Sequence, residues 1–501
     1  MWRVKSLDAI LATARKKSLH RSLGPVQLTL LGIGGVIGTG IFVLTAEAAQ
    51  KAGPGMMVSF IIAGAVSAVA ALCYAELASM VPVSGSAYTY SYAVLGELVA
   101  WLVGWALILE YAVAASAVSV GWSGYIVGLL AHLPDPIIIP PELAAGPYAG
   151  GVFNLLAVVV ALAVTGLLVI GTRESATVNA VLVAIKLVAL GAFVWLALPV
   201  MTQGNFHPFT PLGTSGVVAA AASIFFAYVG FDAVSTAAEE TKNPQRNLPI
   251  GLIASLAICT VLYLLVAAAA IGSYGAQPVF GPNGEVLAPG SMALTAACGT
   301  FTDQPLVCSR EALAHVLRSI NYPVVGNLLG LAAGIALPTV ILMMIYGQTR
   351  IFFVMSRDGL LPEKLSTIHP RFRTPHVVTW ITGIAVAFAA AFLPVGQLAD
   401  ISNSGTLFAF AVVSVAVLVL RRTQPGRHRP FRTPLIWLFA PLSIAGCATL
   451  FAFLPWQAQL LFPVWSVIGL VFYFAYGFSH SHVGRGHTEV PEAEIPGPIS
   501  D

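Results

Sequence analysis

Charge is what this chain has least of. Only 9% of its 501 residues are Asp, Glu, Lys or Arg against 57% apolar, and the mean hydropathy is +0.86. So few ionic groups cannot coat a water-soluble body of this size, which excludes a soluble enzyme or binding domain and implies an integral membrane protein. Cysteine is scarce too. Cys73, Cys259 and Cys447 lie in apolar runs, Cys298 and Cys308 share one polar segment, and none has metal-ligand spacing. No HExxH or GxSxG occurs, so neither of those hydrolase constellations is offered and no enzymatic activity is expected. The basic, weakly apolar start, with Lys16, Lys17 and Arg21, does not read as a cleavable signal peptide. No nucleic-acid partner is expected, and the sequence names no protein partner.

What is present in abundance is apolar runs of the length a bilayer core needs. They predict twelve spans, near residues 27–49, 57–80, 97–130, 153–171, 176–199, 214–236, 249–272, 322–346, 376–394, 402–420, 435–454 and 460–478. Of the lysines and arginines, only Lys51, Arg310 and Arg318 fall on the outer side and Lys186 within a span. That bias predicts that both termini are cytoplasmic. The expected fold class is therefore an all-α, multi-pass protein of the cell's inner (plasma) membrane.

Two spans are irregular. LGIGGVIGTGIF, in the first, packs Gly32, Gly34, Gly35, Gly38 and Gly40 into nine residues, although each glycine costs a helix interior roughly 1 kcal/mol relative to alanine. The sixth, GVVAAAASIFFAYVGFDAVSTAAEE, places Gly230 beside Asp232 among Phe225, Phe226, Tyr228 and Phe231. The two stand five spans apart, and an odd offset gives tandem five-helix units opposite orientation. A pair of glycine-interrupted spans at matching positions points to a transporter's binding site. An unwound turn within the membrane exposes N–H groups that attract a carboxylate and carbonyls that attract an ammonium, so a zwitterion suits both. The competing explanation is close helix packing of the GxxxG kind.

Four ionisable residues lie at membrane depth, where a charge costs at least ~2.5–3.5 kcal/mol at a helix centre. Glu76 sits near the inner end of the second span and reads as a structural hydrogen-bonding or snorkelling acid. Glu110, deep in the third, is either a counter-ion for a cationic side chain or an internal acid. Asp232 follows the second break, as a substrate contact or as a cap of the resumed helix. Lys186, in NAVLVAIKLVALGAF, is too central to snorkel and must find partners or lose its proton. His480, His482 and His487 lie in a polar tail with no scaffold for a metal, and no metal site is expected.

GIGGVIGTGIFVLT, CYAELASMVPVSGSAYTYSY, FFAYVGFDAVSTAAEETKNPQRNLPIGLI and YGQTRIFFVMSRDGLLP resemble the amino acid–polyamine–organocation superfamily, and within it the bacterial members of the cationic amino acid transporter family, over residues 18–425. The resemblance implies a LeuT-type fold of 5+5 inverted repeats, the architecture for which LeuT is a standard example. The divisions would be a cytoplasmic segment 1–26, repeats 27–199 and 200–420 with an outer loop near 273–318, two further helices in 421–478 and a tail 479–501. It implies a substrate carboxylate on Gly38, Thr39 and Gly40, an α-ammonium on carbonyls of Val36, Phe226, Ala227 and Val229, and Phe231 as an aromatic gate. It also puts Lys186 where sodium-coupled relatives hold their ion, so that a proton is the coupling ion and neither sodium nor a cofactor is needed. The implied activity is secondary transport of L-amino acids by alternating access. Glu110 and the resemblance favour arginine, lysine or ornithine; the aromatic and apolar lining of span six would also suit a small neutral amino acid such as alanine, and a sensor that has lost transport is the remaining alternative. Cys298 and Cys308, both on the expected outer face, are candidates for a disulfide.

Overall fold

In lipid every backbone polar group must be satisfied within the chain, so a sequence this apolar folds into helices. A computed structural model describes residues 3–4, 23–82, 86–171, 176–372 and 374–486, and among them regular structure is helical, with β-pairing limited to the isolated bridges Leu23↔Thr241 and Phe280↔Val286. Lys16, Lys17, Arg21, Arg173, His487, the motif residues 83–85 and the tail from 487 onwards lie outside the described residues.

The principal helices are α1 (Pro25–Val36), α2 (Thr39–Phe42), α3 (Leu44–Ala52), α4 (Met56–Met80), α5 (Ser86–Val94), α6 (Glu97–Ala131), α7 (Leu155–Ile170), α8 (Ala176–Ala197), α9 (Gly213–Ile224), α10 (Pro244–Tyr274), α11 (Ala312–Ser319), α12 (Pro323–Arg357), α13 (His376–Phe392), α14 (Val395–Thr423), α15 (Ile436–Ala452) and α16 (Trp456–Phe472). Seven stretches are long and apolar enough to cross a membrane, and five shorter apolar helices accompany them. This is a multi-pass membrane protein. At 35 residues each, α6 and α12 measure roughly 52 Å along their axes, well beyond a hydrocarbon core of about 30 Å, so they tilt or project from it.

The helices sort into two packed sets. α1, α4, α9 and α10 pack together with the 3₁₀ helix Phe231–Glu240, while α6, α7, α12 and α13 form the second set. α8 touches α1 and α10 on one side and α12 on the other; α14 lies between α6 and α4. Small residues allow these approaches: a Cβ on Gly383 of α13 would come within 2.6 Å of all three heavy atoms of the Thr165 side chain on α7 beyond Cα. α16 is fastened to α6 by Trp105 and Trp465, stacked at 4.7 Å, each indole N–H donating to the other's carbonyl at 2.8 Å.

Three helices outrun their hydropathy. α12 continues to Arg357 rather than stopping near 346, because Ile351 and Met355 keep a buried stripe alive through GQTRIFFVMSR. α14 begins at Val395, not 402, and α10 at Pro244, not 249. In α14 the polar run Ser402, Asn403, Ser404 is wholly buried against the protein, so low hydropathy there marks interior contacts and not a loop. The segment 273–318, expected on the outer side, carries the short helix Met292–Cys298 and α11, and Cys298 is joined to Cys308.

Candidate functional site at the two helix breaks

α1 ends at Val36, Ile37 and Gly38 leave helical geometry (ψ 92° and −149°), and α2 restarts at Thr39. Opposite, α9 ends at Ile224, a 3₁₀ turn runs through Phe225–Tyr228, and the chain opens at Val229 and Gly230 before Phe231–Glu240 resumes. Gly230 has φ +113°, a conformation open to glycine at little cost. The breaks meet backbone to backbone. A Cβ on Gly230 would sit 2.8 Å from the Gly35 carbonyl oxygen, and one on Gly40 2.3 Å from Ala227 Cα. Both sequence readings of the glycines thus apply at once. Gly35 and Gly40 are packing glycines between the broken segments, and their packing is what brings two opened backbones together.

Polar side chains from three other helices hold the first broken segment. Lys186 on α8 donates to the Gly34 carbonyl at 2.9 Å, Tyr263 on α10 to Val36 at 2.8 Å, and Tyr125 on α6 to Phe42 at 2.7 Å. The N–H groups of Thr39 and Gly40 open a helical turn and find no backbone acceptor among the described residues. The Thr39 hydroxyl is fully buried without a hydrogen-bond partner. On the second break the Val229 N–H donates to the Phe226 carbonyl at 3.2 Å, which leaves that oxygen its second lone pair.

Tyr111 donates to Asp232 Oδ2 at 2.9 Å, and the Ser235 hydroxyl to the Asp232 carbonyl at 2.6 Å, so Asp232 both anchors the resumed helix and faces α6. Glu110 is wholly buried with neither carboxylate oxygen hydrogen-bonded, and it lies close enough to Asp232 for their charges to interact. The Thr406 hydroxyl beside it is turned to the Ser402 carbonyl. Phe231 packs on Phe410 (5.1 Å between ring centroids) and edge-on to Tyr74 (6.3 Å). Thr39, Glu110, Lys186, Phe231 and Asp232 are all buried, so the centre is shut off from solvent.

Several pairings around this centre carried no sequence signal of their own. Lys51 donates to Ser223 at 2.5 Å and to Asp400 Oδ2 at 3.2 Å, and Ser223 donates to Asp400 Oδ1 at 2.5 Å, tying α3, α9 and α14 together beyond the breaks. The signal that could have found it is Lys51 itself, a lone cation at the end of an apolar run. At the opposite end Glu76 is held by Arg421 through two bonds (2.7 and 2.8 Å), by Arg429 at 3.3 Å and by the Thr433 N–H, so it is an ion-paired structural acid and not a snorkelling one. Thr339 of α12 donates to the Ala336 carbonyl of its own helix.

Outside Val43 a cavity of about 830 Å³ is walled by Glu47, Gly128, His132 and Glu311 and roofed by the Cys298–Cys308 loop. Glu311 pairs with Arg318; burial pushes its carboxyl up to about 7 against the opposing effect of that guanidinium. Among the described residues no cluster of His, Cys, Asp and Glu could hold a metal.

A family model described as amino acid permease matches residues 23–476. The chain belongs to the amino acid permease family, within the amino acid–polyamine–organocation superfamily. This permease is 44% identical to the branched-chain amino acid permease BcaP of Bacillus subtilis over 490 residues, 97% of this chain and 99% of the relative. It is 42% identical to the methylthioribose transporter of the same organism over equal coverage, and 36% identical to the vacuolar cationic amino acid transporter 4 of Arabidopsis thaliana over 81% of this permease and 64% of the relative. These relatives are transporters and permeases, not enzymes.

Proposed function

We propose that this permease is a proton-coupled symporter that imports L-amino acids across the plasma membrane by alternating access, with twelve spans, two inverted repeats (27–199 and 200–420) and both termini cytoplasmic. The observation that carries the reading is the meeting of two broken helices at a buried centre, where the Thr39 hydroxyl and the N–H groups of Thr39 and Gly40 are unpaired beside the carbonyls of Val36 and Phe226, each of which accepts one hydrogen bond and keeps a second lone pair. Donors on one side and acceptors on the other suit the carboxylate and ammonium common to all α-amino acids. Gly38, Ala227 and Val229 complete the backbone lining, and Phe231 closes over it.

The side chain favoured by this reading is neutral and aliphatic. The relative named for branched-chain amino acids matches almost end to end, and the walls beside the breaks are apolar: Val340 is the nearest side chain to Gly38, at 3.4 Å from a Cβ built there. A cationic substrate has one specific observation in its favour, the buried and unbonded Glu110 carboxylate. Uptake of labelled amino acids into proteoliposomes, with and without an inward proton gradient, tests the function; no accumulation of any of them would make the chain a sensor or a carrier of other solutes. Competition separates the substrates. Glu110→Gln is expected to change inhibition by leucine, valine and alanine less than about twofold. A selective loss of inhibition by arginine and lysine would instead establish the cationic reading.

Lys51, Ser223 and Asp400 act in this scheme as the outer closure. Removing one partner of a mostly buried ion pair typically costs 3–5 kcal/mol, so Asp400→Asn should shift the population toward an outward-open form. A Thr39→Cys reporter is then expected to label several-fold faster with an externally added, membrane-impermeant maleimide. Unchanged labelling would show that the closure lies elsewhere.

A further inference from the structure

Away from the breaks, a cleft of about 670 Å³ lies between the first turns of α10 and the loop that follows α14. Its floor is one face of α10, where Pro249, Ile253 and Ala257 repeat at i, i+4 and i+8 with Ile250 and Ala254 alongside; Pro430 and Phe431 form the roof. Ile250 is 39% exposed, and Ile258 and Val261 carry the exposed apolar surface further along the same helix, so the cleft opens toward the lipid. Its polar end is different. Arg246 stands there, exposed, with its guanidinium making no ion pair or hydrogen bond among the described residues. Arg432, which directly follows the roof residue Phe431, is likewise exposed and without an acidic partner among them.

Glu76 takes up Arg421 and Arg429, and no acid pairs with Arg246 or Arg432 among the described residues. Residues 421–435, RRTQPGRHRPFRTPL, hold five arginines and no acid, and α10 holds neither Asp nor Glu. An apolar trough with an uncompensated cationic end matches an amphiphile whose head is an anion and whose tail is a hydrocarbon chain, and basic pockets beside membrane helices on the cytoplasmic side bind anionic headgroups in this way. We propose that this cleft binds one anionic phospholipid, its phosphate at Arg246 and Arg432 and an acyl chain along Pro249, Ile253 and Ala257.

The turn that floors the cleft also touches both broken segments. Gly251 is so placed that a Cβ there would lie 2.8 Å from Leu28 Cβ of α1 and 3.2 Å from Val234 Cγ1 of the 3₁₀ helix Phe231–Glu240. A lipid seated on this turn therefore acts on the inner halves of both segments and biases transport if its affinity differs between the two states. That consequence rests on the alternating-access reading; the lipid site does not.

Native mass spectrometry of the purified full chain, supplied with phosphatidylglycerol or phosphatidylcholine of identical acyl chains, tests the site. The wild type is expected to retain one phosphatidylglycerol about tenfold more than phosphatidylcholine. Arg246→Gln combined with Arg432→Gln should lower retention to the phosphatidylcholine level, Arg246→Lys combined with Arg432→Lys should preserve it, and Ala254→Trp, which fills the trough, should remove both lipids. Equal retention of the two lipids by the wild type, or undiminished phosphatidylglycerol on the glutamine variant, overturns the assignment. So does a polypeptide that co-purifies in the cleft in place of phospholipid. Because the lysine pair keeps charge at the same positions, its behaviour separates loss of the site from loss of the fold. If Ala254→Trp does not fold, the two arginine pairs decide. Uptake in proteoliposomes should rise with phosphatidylglycerol content in the wild type and lose that dependence in the glutamine pair. Failure of this last arm alone would remove the effect on transport and leave the lipid site standing.

Discussion

Gly40→Ala is expected to reduce amino acid affinity at least about a hundredfold, ~2.7 kcal/mol, and Gly40→Leu to abolish it. A methyl at this position would lie 2.3 Å from Ala227 Cα and 2.5 Å from its Cβ. The clash is with backbone, so relief requires the two breaks to separate, and that separation pulls the Thr39 and Gly40 N–H groups away from the carbonyls on the other side of the centre. The same methyl at Gly191 meets nothing within 4 Å. Gly191→Ala should therefore bind normally and serve as the control, with size-exclusion chromatography showing both proteins monodisperse. Normal affinity in a folded Gly40→Leu protein would remove the helix breaks from the binding site.

Lys186→Ala is expected to abolish the dependence of uptake on the proton gradient. In the wild type, uptake should rise as external pH falls and be unaffected when choline replaces sodium. Lys186 is buried among apolar residues of α8, and its ammonium donates to the Gly34 carbonyl two residues before α1 ends. Cys259 on α10 is near enough to feel its charge, so the residue stands where α1, α8 and α10 meet. An ammonium there ties the broken segment to α8, and its loss of a proton weakens the tie. A proton can drive the conformational change only if its affinity for this site differs between the two states. With alanine the tie is permanently absent. Concentrative uptake should fall more than about tenfold, while exchange down a substrate gradient and substrate binding persist. Full proton-driven accumulation in this variant would move the coupling site to Asp232 or Glu110.

The disposition of the charged residues shows how sequence and structure divided the information. Scarcity of charge and the length of the apolar runs specified a multi-pass helical membrane protein, because lipid leaves the backbone few other ways to satisfy its polar groups. The glycines of LGIGGVIGTGIF and Gly230 marked where helices break, because glycine's cost in a helix and its freedom at positive φ are local properties of the chain. Lys186, Glu110 and Asp232 stood out for the same kind of reason: each carries a charge whose desolvation cost is legible from its position in a span.

Partnership was not legible, because it joins residues hundreds of positions apart. That Gly35 lies on Gly230, that Lys51 reaches Asp400, that Glu76 is neutralised by Arg421 and Arg429, and that Glu110 is left without a hydrogen bond beside Asp232 were decided only when the helices packed. Hydropathy also misjudged where α10, α12 and α14 begin or end, since a polar residue buried against another helix scores the same as one in water. The sequence by itself determined the solvent, the helical class and the sites of the breaks, all of which depend on single residues and their neighbours. Only the tertiary structure decided which broken backbones face each other and which buried charges are paired, because those depend on the distances that packing sets.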